Sequence, residues 1–241
     1  MCHPWLAAGV AGFIGVLVVR ELVPAVRHGD GEPLLDRGLL GVGLRTWFRT
    51  RIDPLVDALL ALGIHPDAIT AVQLGVSVLC GLAYAAGWLF TAGWLLLTGG
   101  SLDVLDGAMA RKVGVASPRG AFVDSVTDRY GEGVVFLGLA AHFRDEWGLY
   151  AVLAAAFGAF MVSYTRARGE SLGASCSGGM LQRPERYVLI GGGSLIGSLG
   201  AHVACAPASA SAVLVAGIIA VAALANATAL QRAAAIVRQL A

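Results

Sequence analysis

Residues 92–141 read AGWLLLTGGSLDVLDGAMARKVGVASPRGAFVDSVTDRYGEGVVFLGLAA, and this stretch decides the fold. Two apolar runs, 92–109 and 119–141, flank a short basic loop, and each is close to the ~20 residues that cross a bilayer as a helix. Four aspartates sit where the runs approach that loop. Asp103 and Asp106 are spaced i,i+3, and Asp124 and Asp128 i,i+4, so each pair shares one face of its helix. With residues 110–118 alone between them, the two helices are expected to be antiparallel neighbours whose acidic faces meet.

The same character recurs on either side. Runs at 68–90, 147–165, 187–204 and 209–230 bring the expected spans to six, and Trp5 to about Val26 offers a further anchor helix. Of 241 residues, 57% are hydrophobic and 14% charged, about half the ~25% charge of a soluble domain. A disordered chain, a nucleic-acid-binding domain and a disulfide-stapled secreted module are excluded. Cys2, Cys80, Cys176 and Cys205 are too scattered for a zinc site and read as isolated apolar thiols. The expected fold is an all-α integral membrane protein. Residues 1–36 form an N-terminal anchor helix and linker, 37–65 an interfacial juxtamembrane helix, and 66–241 a six-helix core bundle.

Basic residues set the orientation. Arg20 to Arg51, Arg111 with Lys112, Arg166 with Arg168, Arg183 with Arg186, and Arg232 with Arg238 all fall on one side, and Arg144 on the other. The positive-inside rule makes the crowded side cytoplasmic, in a multi-pass protein of the cell membrane. Within 37–65, Leu40, Leu44, Trp47, Phe48 and Ile52 recur at helical spacing, with Arg45, Arg49 and Arg51 between them. Such a helix lies in the membrane interface with its basic face on lipid phosphates, or packs on the bundle. Pro54 is expected to begin a second short helix ending near Gly63, and Asp67 to cap the first core span.

An ionisable group inside a span costs ~2.5–3.5 kcal/mol on insertion scales. Four carboxylates meeting in low dielectric repel or stay protonated. Divalent cations resolve this, and hard oxygen ligands favour Mg²⁺ or Mn²⁺. Two such ions ~3.5–4 Å apart would clamp a phosphoryl group and stabilise both attacking and leaving oxygens. Gly107 and Gly120 leave room for close approach, and Arg111 presents a planar fork suited to phosphate. The competing reading pairs the aspartates with Arg111, Arg119 and Arg129 in a buried ion network. Arg166, Arg183, Arg186 and Arg232 lie at the cytoplasmic ends of three spans. They point to an acceptor that carries its own phosphate, or else to topology alone.

DxxDGxxAR, eight residues, then GxxxDxxxD resembles the signature of the CDP-alcohol phosphotransferase family, and every fixed letter is present from Asp103 to Asp128. The resemblance covers about residues 38–232. It implies transfer of a phosphatidyl group from CDP-diacylglycerol to an alcohol, with release of CMP, in a homodimer. It makes Asp103, Asp106 and Asp124 metal ligands, and Asp128 both a ligand and the general base. It also makes Asp67, Ala68, Ile69, Thr70, Gly107, Arg111 and Ser117 contacts of CDP-diacylglycerol, although Asp67 and Thr70 read equally as helix-capping residues. PDxxT, DGAMAR, SYxxAR and RPER are similar to the branch of the family whose acceptor is inositol phosphate. Arg166, Gly169 and Gln182 depart from that branch, which commonly has Lys, Ala and Glu there. Glycerol-3-phosphate, giving phosphatidylglycerophosphate, is the next acceptor to consider. A cation transporter is the reading outside enzymes, disfavoured because the aspartates gather at one membrane face and not at the midplane.

Overall fold

Prolines and glycines mark where the chain turns. Pro66 and Pro118 stand in the first turns of their helices, where the missing N–H is no loss. Gly114, at φ 72°, ends its helix in the left-handed conformation that a side chain would resist. The computed structural model describes residues 41–114, 117–174, 179–204 and 208–240. The expected anchor and linker at 1–36, and Cys2, Cys176 and Cys205, lie outside the described residues.

Those residues form seven helices and no strands: α1 (Gly41–Ala61), α2 (Pro66–Ala85), α3 (Leu89–Val113), α4 (Pro118–His142), α5 (Gly148–Ser171), α6 (Arg183–Ala204) and α7 (Ala208–Leu240). Helices α2 to α7 match the six expected runs. Three of them, α2, α5 and α7 from Ala210, are long and apolar enough to cross a membrane. Their outward side chains include Leu79, Leu82, Phe157 and Leu230, all exposed, as a lipid-facing surface requires.

Helix packing runs in a ring, α2–α3–α6–α7–α5–α4, with α4–α5 its thinnest seam. This corrects the expectation that α3 and α4 are packed neighbours. They stay apart along most of their length, because α2 lies between them and packs on both, and come together where the aspartates lie. Small residues let it in. A Cβ on Gly81 would lie 2.6 Å from the Val134 carbonyl oxygen, and one on Gly138 would run into the Gly81 carbonyl. Backbones therefore meet at the α2–α4 crossing. Behind it, Tyr84, Leu139, Phe143, Leu214 and Ile218 fill the main core. Tyr84 Oη and Ser194 Oγ satisfy each other there at 2.8 Å.

Two local expectations are also corrected. Pro54 begins no new helix; α1 continues through it from Gly41 to Ala61. Ile52, Val56, Leu59 and Leu60 from both sides of the proline share one apolar cluster with Leu105 and Met109 of α3, which keeps both halves on one axis. Lys112 ties down the same helix through Asp57 at 2.6 Å, and that carboxylate pushes the Lys112 ammonium above its ordinary pKa. The cap of α2 is His65, whose Nδ1 accepts from the Asp67 N–H at 3.3 Å. Because Pro66 takes the first helical position, Asp67 falls inside the first turn, with its side chain exposed.

Candidate active site

The four aspartates come together at the end of the bundle where α3 stops and α4 starts. Asp103, Asp106 and Asp124 each present an oxygen, and these oxygens lie within 4.8 Å of one another. Three of the four aspartates are braced from neighbouring helices. Thr70 on α2 donates its hydroxyl to Asp106 Oδ2 at 2.8 Å. Arg183 on α6 donates to Asp103 Oδ1 at 2.9 Å and also contacts Asp128 Oδ1. The same guanidinium donates to the Asp128 carbonyl at 3.1 Å and to Tyr187 Oη at 3.1 Å. Gln73 donates to Asp128 Oδ1 at 3.2 Å, and Arg129 stands 3.5 Å from its other oxygen.

Asp124 lacks such a brace: its Oδ1 is buried with no hydrogen-bond partner. A buried carboxylate oxygen left bare costs about 1–3 kcal/mol or more, and three acidic groups at this separation repel. An all-oxygen set with one ligand unsatisfied fits a hard divalent cation. The cluster is thus short of positive charge in a way that a metal ion corrects. The alternative network of Arg111, Arg119 and Arg129 does not form around all four; Arg183 takes the central place.

Beside the carboxylates a cavity of about 460 Å³ opens between α1, α3 and α6. Asp103, Gly107 and Arg111 line one side, Phe48 and Arg49 of α1 another, and Tyr187 and Val188 of α6 the third. A Cβ on Gly107 would lie 3.2 Å from Arg111 Nη1, so the glycine makes space for that guanidinium. The mixture suits a ligand with a phosphate end and an apolar end: Asp103, Arg111 and Arg49 bring charge to the lining, and Leu97, Val104 and Phe48 bring apolar surface.

The remaining candidates divide. Ser117 caps α4 by accepting from the Gly120 N–H at 3.1 Å. Ile69 is buried in the α1–α2–α3 junction, while Asp67 and Ala68 face solvent. Thr70 reaches a carboxylate directly. Among the four arginines, Arg183 touches the cluster. Arg186 lies one turn deeper and gives both arms of its fork to Glu132, at 2.7 and 3.0 Å. Arg232 is buried and donates to the Val162 carbonyl at 2.9 Å. Arg166 pairs with Glu170 at 2.8 Å, half exposed.

Sequence reading missed Gln73, Glu132 and Tyr187. Glu132 carried a usable signal, an acid inside an apolar run one turn after Asp128. So did Gln73, a polar residue three positions after Thr70 in another such run.

Comparison with known proteins bears on this arrangement. Residues 63–239 match the family described as CDP-alcohol phosphatidyltransferase. Archaetidylinositol phosphate synthase of Methanothermobacter thermautotrophicus is 37% identical over 155 residues, spanning 64% of this chain and 77% of that protein. The crystal structure of Mycobacterium tuberculosis phosphatidylinositol phosphate synthase with CDP-DAG bound is similar at TM-score 0.65 and 31% identity, covering 76% of this chain and 92% of that one. The structure of the same enzyme in complex with manganese and citrate is similar at TM-score 0.66 and 30% identity, covering 76% and 87%.

Proposed function

The chain belongs to the CDP-alcohol phosphatidyltransferase family, and on that premise we propose that it moves the phosphatidyl group of CDP-diacylglycerol onto inositol phosphate, yielding phosphatidylinositol phosphate and CMP. The observation that carries the reading is the carboxylate cluster, with Arg183 bound to two of its members and Asp124 Oδ1 unsatisfied. Relatives supply the substrates: the similar mycobacterial enzyme binds CDP-DAG, and the archaeal one is likewise named for an inositol phosphate product.

Asp103, Asp106, Asp124 and Asp128 would hold two divalent cations, Mg²⁺ or Mn²⁺. When bound, such ions neutralise the diphosphate and stabilise charge on the attacking and leaving oxygens. The chain's own groups do the rest. Arg111 holds donor phosphate at the mouth of the cavity, and Gly107 keeps that approach open. Phe48, Leu97 and Val104 take the apolar part of the donor. Asp128 receives the proton of the acceptor hydroxyl, a role that requires a carboxylate within ~3 Å of that proton. Arg183, already seated between Asp103 and Asp128, turns its fork to the acceptor phosphate. Arg186 and Arg232 act behind it, holding α6 and α7 in register. All six core helices cross the cell membrane, the site opens at the cytoplasmic face, and the enzyme works as a homodimer.

An acceptor panel tests the assignment. Membranes containing the protein, with CDP-diacylglycerol and Mg²⁺ or Mn²⁺, are offered inositol phosphate, free inositol, glycerol-3-phosphate or serine. CMP release is expected with inositol phosphate far above the rest. Preference for glycerol-3-phosphate keeps the reaction class and replaces the acceptor; preference for free inositol or serine removes the case for Arg183 as a phosphate ligand.

A further inference from the structure

Arg183 meets the carboxylate cluster through the two end nitrogens of its guanidinium and gives the third to Tyr187. Nη1 contacts Asp103 and Asp128, Nη2 donates to the Asp128 carbonyl, and Nε donates to Tyr187 Oη at 3.1 Å. The guanidinium carbon also lies 5.3 Å from the centre of the Tyr187 ring, within reach of a cation–π attraction. That ring has little room to move. It is 6% exposed and rests on α3 at Gly100, where a Cβ would lie 2.6 Å from Tyr187 Cδ2. The stem of Arg183 is fixed as well. The two residues before it each give up a backbone N–H: Leu181 to Thr228 Oγ1 on α7 at 3.2 Å, and Gln182 to Glu185 Oε2 at 3.0 Å. Thr228 and Glu185 are themselves buried. The side chain is thus held at both ends, its start by these backbone ties and its guanidinium by Tyr187.

An arginine can grip an oxyanion by either of two edges, Nη1 with Nη2 or Nε with one Nη. Tyr187 takes the single N–H on Nε and so closes the second edge. We propose that Tyr187 is a positioning residue that makes Arg183 an end-on fork, offering the acceptor phosphate the Nη1–Nη2 edge alone. This role rests on Arg183 being the ligand of the acceptor phosphate. The same edge spans α3 and α4 through Asp103 and Asp128, so a phosphate bound there is held beside the cluster in one orientation. Rotamer freedom lost before a ligand arrives does not weaken its binding. Without the hydroxyl, the guanidinium can rotate about its last bonds and present either edge, and the acceptor is held less tightly.

The test compares full-length wild type, Tyr187→Phe, Arg183→Ala and the double variant in lipid nanodiscs with Mn²⁺, CDP-diacylglycerol and inositol phosphate, reading CMP release. Tyr187→Phe keeps the ring on Gly100 and removes only the hydroxyl. Its KM for inositol phosphate is expected to rise about three- to tenfold, with kcat and the KM for CDP-diacylglycerol within about two-fold of wild type. In the Arg183→Ala background the same substitution should change kcat/KM for inositol phosphate by less than about two-fold, because the hydroxyl has no guanidinium left to hold. A role in packing would instead lower kcat or raise both KM values, with or without Arg183, and either result overturns this proposal alone. So does an unchanged acceptor KM in Tyr187→Phe. A full effect in the double variant would mean that the hydroxyl meets substrate itself, which overturns it too. If Tyr187→Phe does not fold, Gly100→Ala carries the same test, since its Cβ must displace the ring and with it the hydroxyl. A wild type that releases no CMP with any acceptor, or an Arg183→Ala with an unchanged acceptor KM, overturns the functional reading of Arg183 and this proposal with it.

Discussion

Two sets of acids lie one turn apart on α4 and are treated in opposite ways. Glu132 is enclosed, and a single guanidinium, Arg186, meets both of its oxygens. Asp124 and Asp128 instead face Asp103 and Asp106, with Arg183 seated centrally and Arg129 at the edge. The first set is balanced in charge and has no capacity left for a ligand. It pins α4 to α6. The second is short of cations and keeps a bare oxygen on Asp124, so it can take more positive charge. Both sets are at least partly buried; the charge balance separates a fastening from a binding site.

Substitutions can break that contrast. The largest effect is expected from Asp124→Asn, which removes charge from the unbraced carboxylate. Turnover should be abolished while the metal-free protein melts no lower than wild type, because no intramolecular partner is lost. Loss of folding instead would place Asp124 among the structural acids. Glu132→Gln should show the reverse. Breaking a buried pair from one side costs about 3–5 kcal/mol by leaving the other charge unmatched, so the melting temperature should fall, with turnover per folded molecule much less affected.

Smaller effects sharpen the picture on α6 and α5. Arg183→Ala should raise the KM for inositol phosphate by about tenfold or more, since a charge-assisted contact is worth ~1.5–3 kcal/mol. The KM for CDP-diacylglycerol should change little. Equal damage to both would assign Arg183 to the donor. Arg166→Ala is the mildest. Its half-exposed i,i+4 pair with Glu170 is worth only about 0.3–0.5 kcal/mol, and the acceptor KM should stay within about two-fold of wild type. A tenfold rise would return Arg166 to the acceptor site that its sequence position suggested.

The contrast also explains what the sequence could and could not reveal. Asp103, Asp106, Asp124 and Asp128 were legible because their spacing along two helices is local and their chemistry is costly in an apolar run. The six core helices were legible from length and hydropathy. The insertion of α2 between α3 and α4 was not: a short loop suggests neighbours, and the exception rests on Gly81 and Gly138, which lie 57 positions apart in the chain and meet only in the fold. The four arginines looked equivalent for a similar reason. Which of them has found an acid depends on partners far away, as with Arg186 and Glu132 at a separation of 54 residues. Pro54 and His65 show the same limit on a smaller scale, where tertiary packing and a neighbouring proline settled what local preference left open.

The carboxylate cluster works by taking up divalent cations. CMP release from CDP-diacylglycerol in the presence of inositol phosphate, measured before and after exhaustive chelation and again after adding back Mg²⁺ or Mn²⁺, tests it most directly. Release is expected to fall to background on chelation and to return with either ion in the wild type, but with neither in Asp124→Asn. Undiminished release after chelation would contradict it, and would mean that Arg183 and its neighbours supply all the positive charge the four aspartates need.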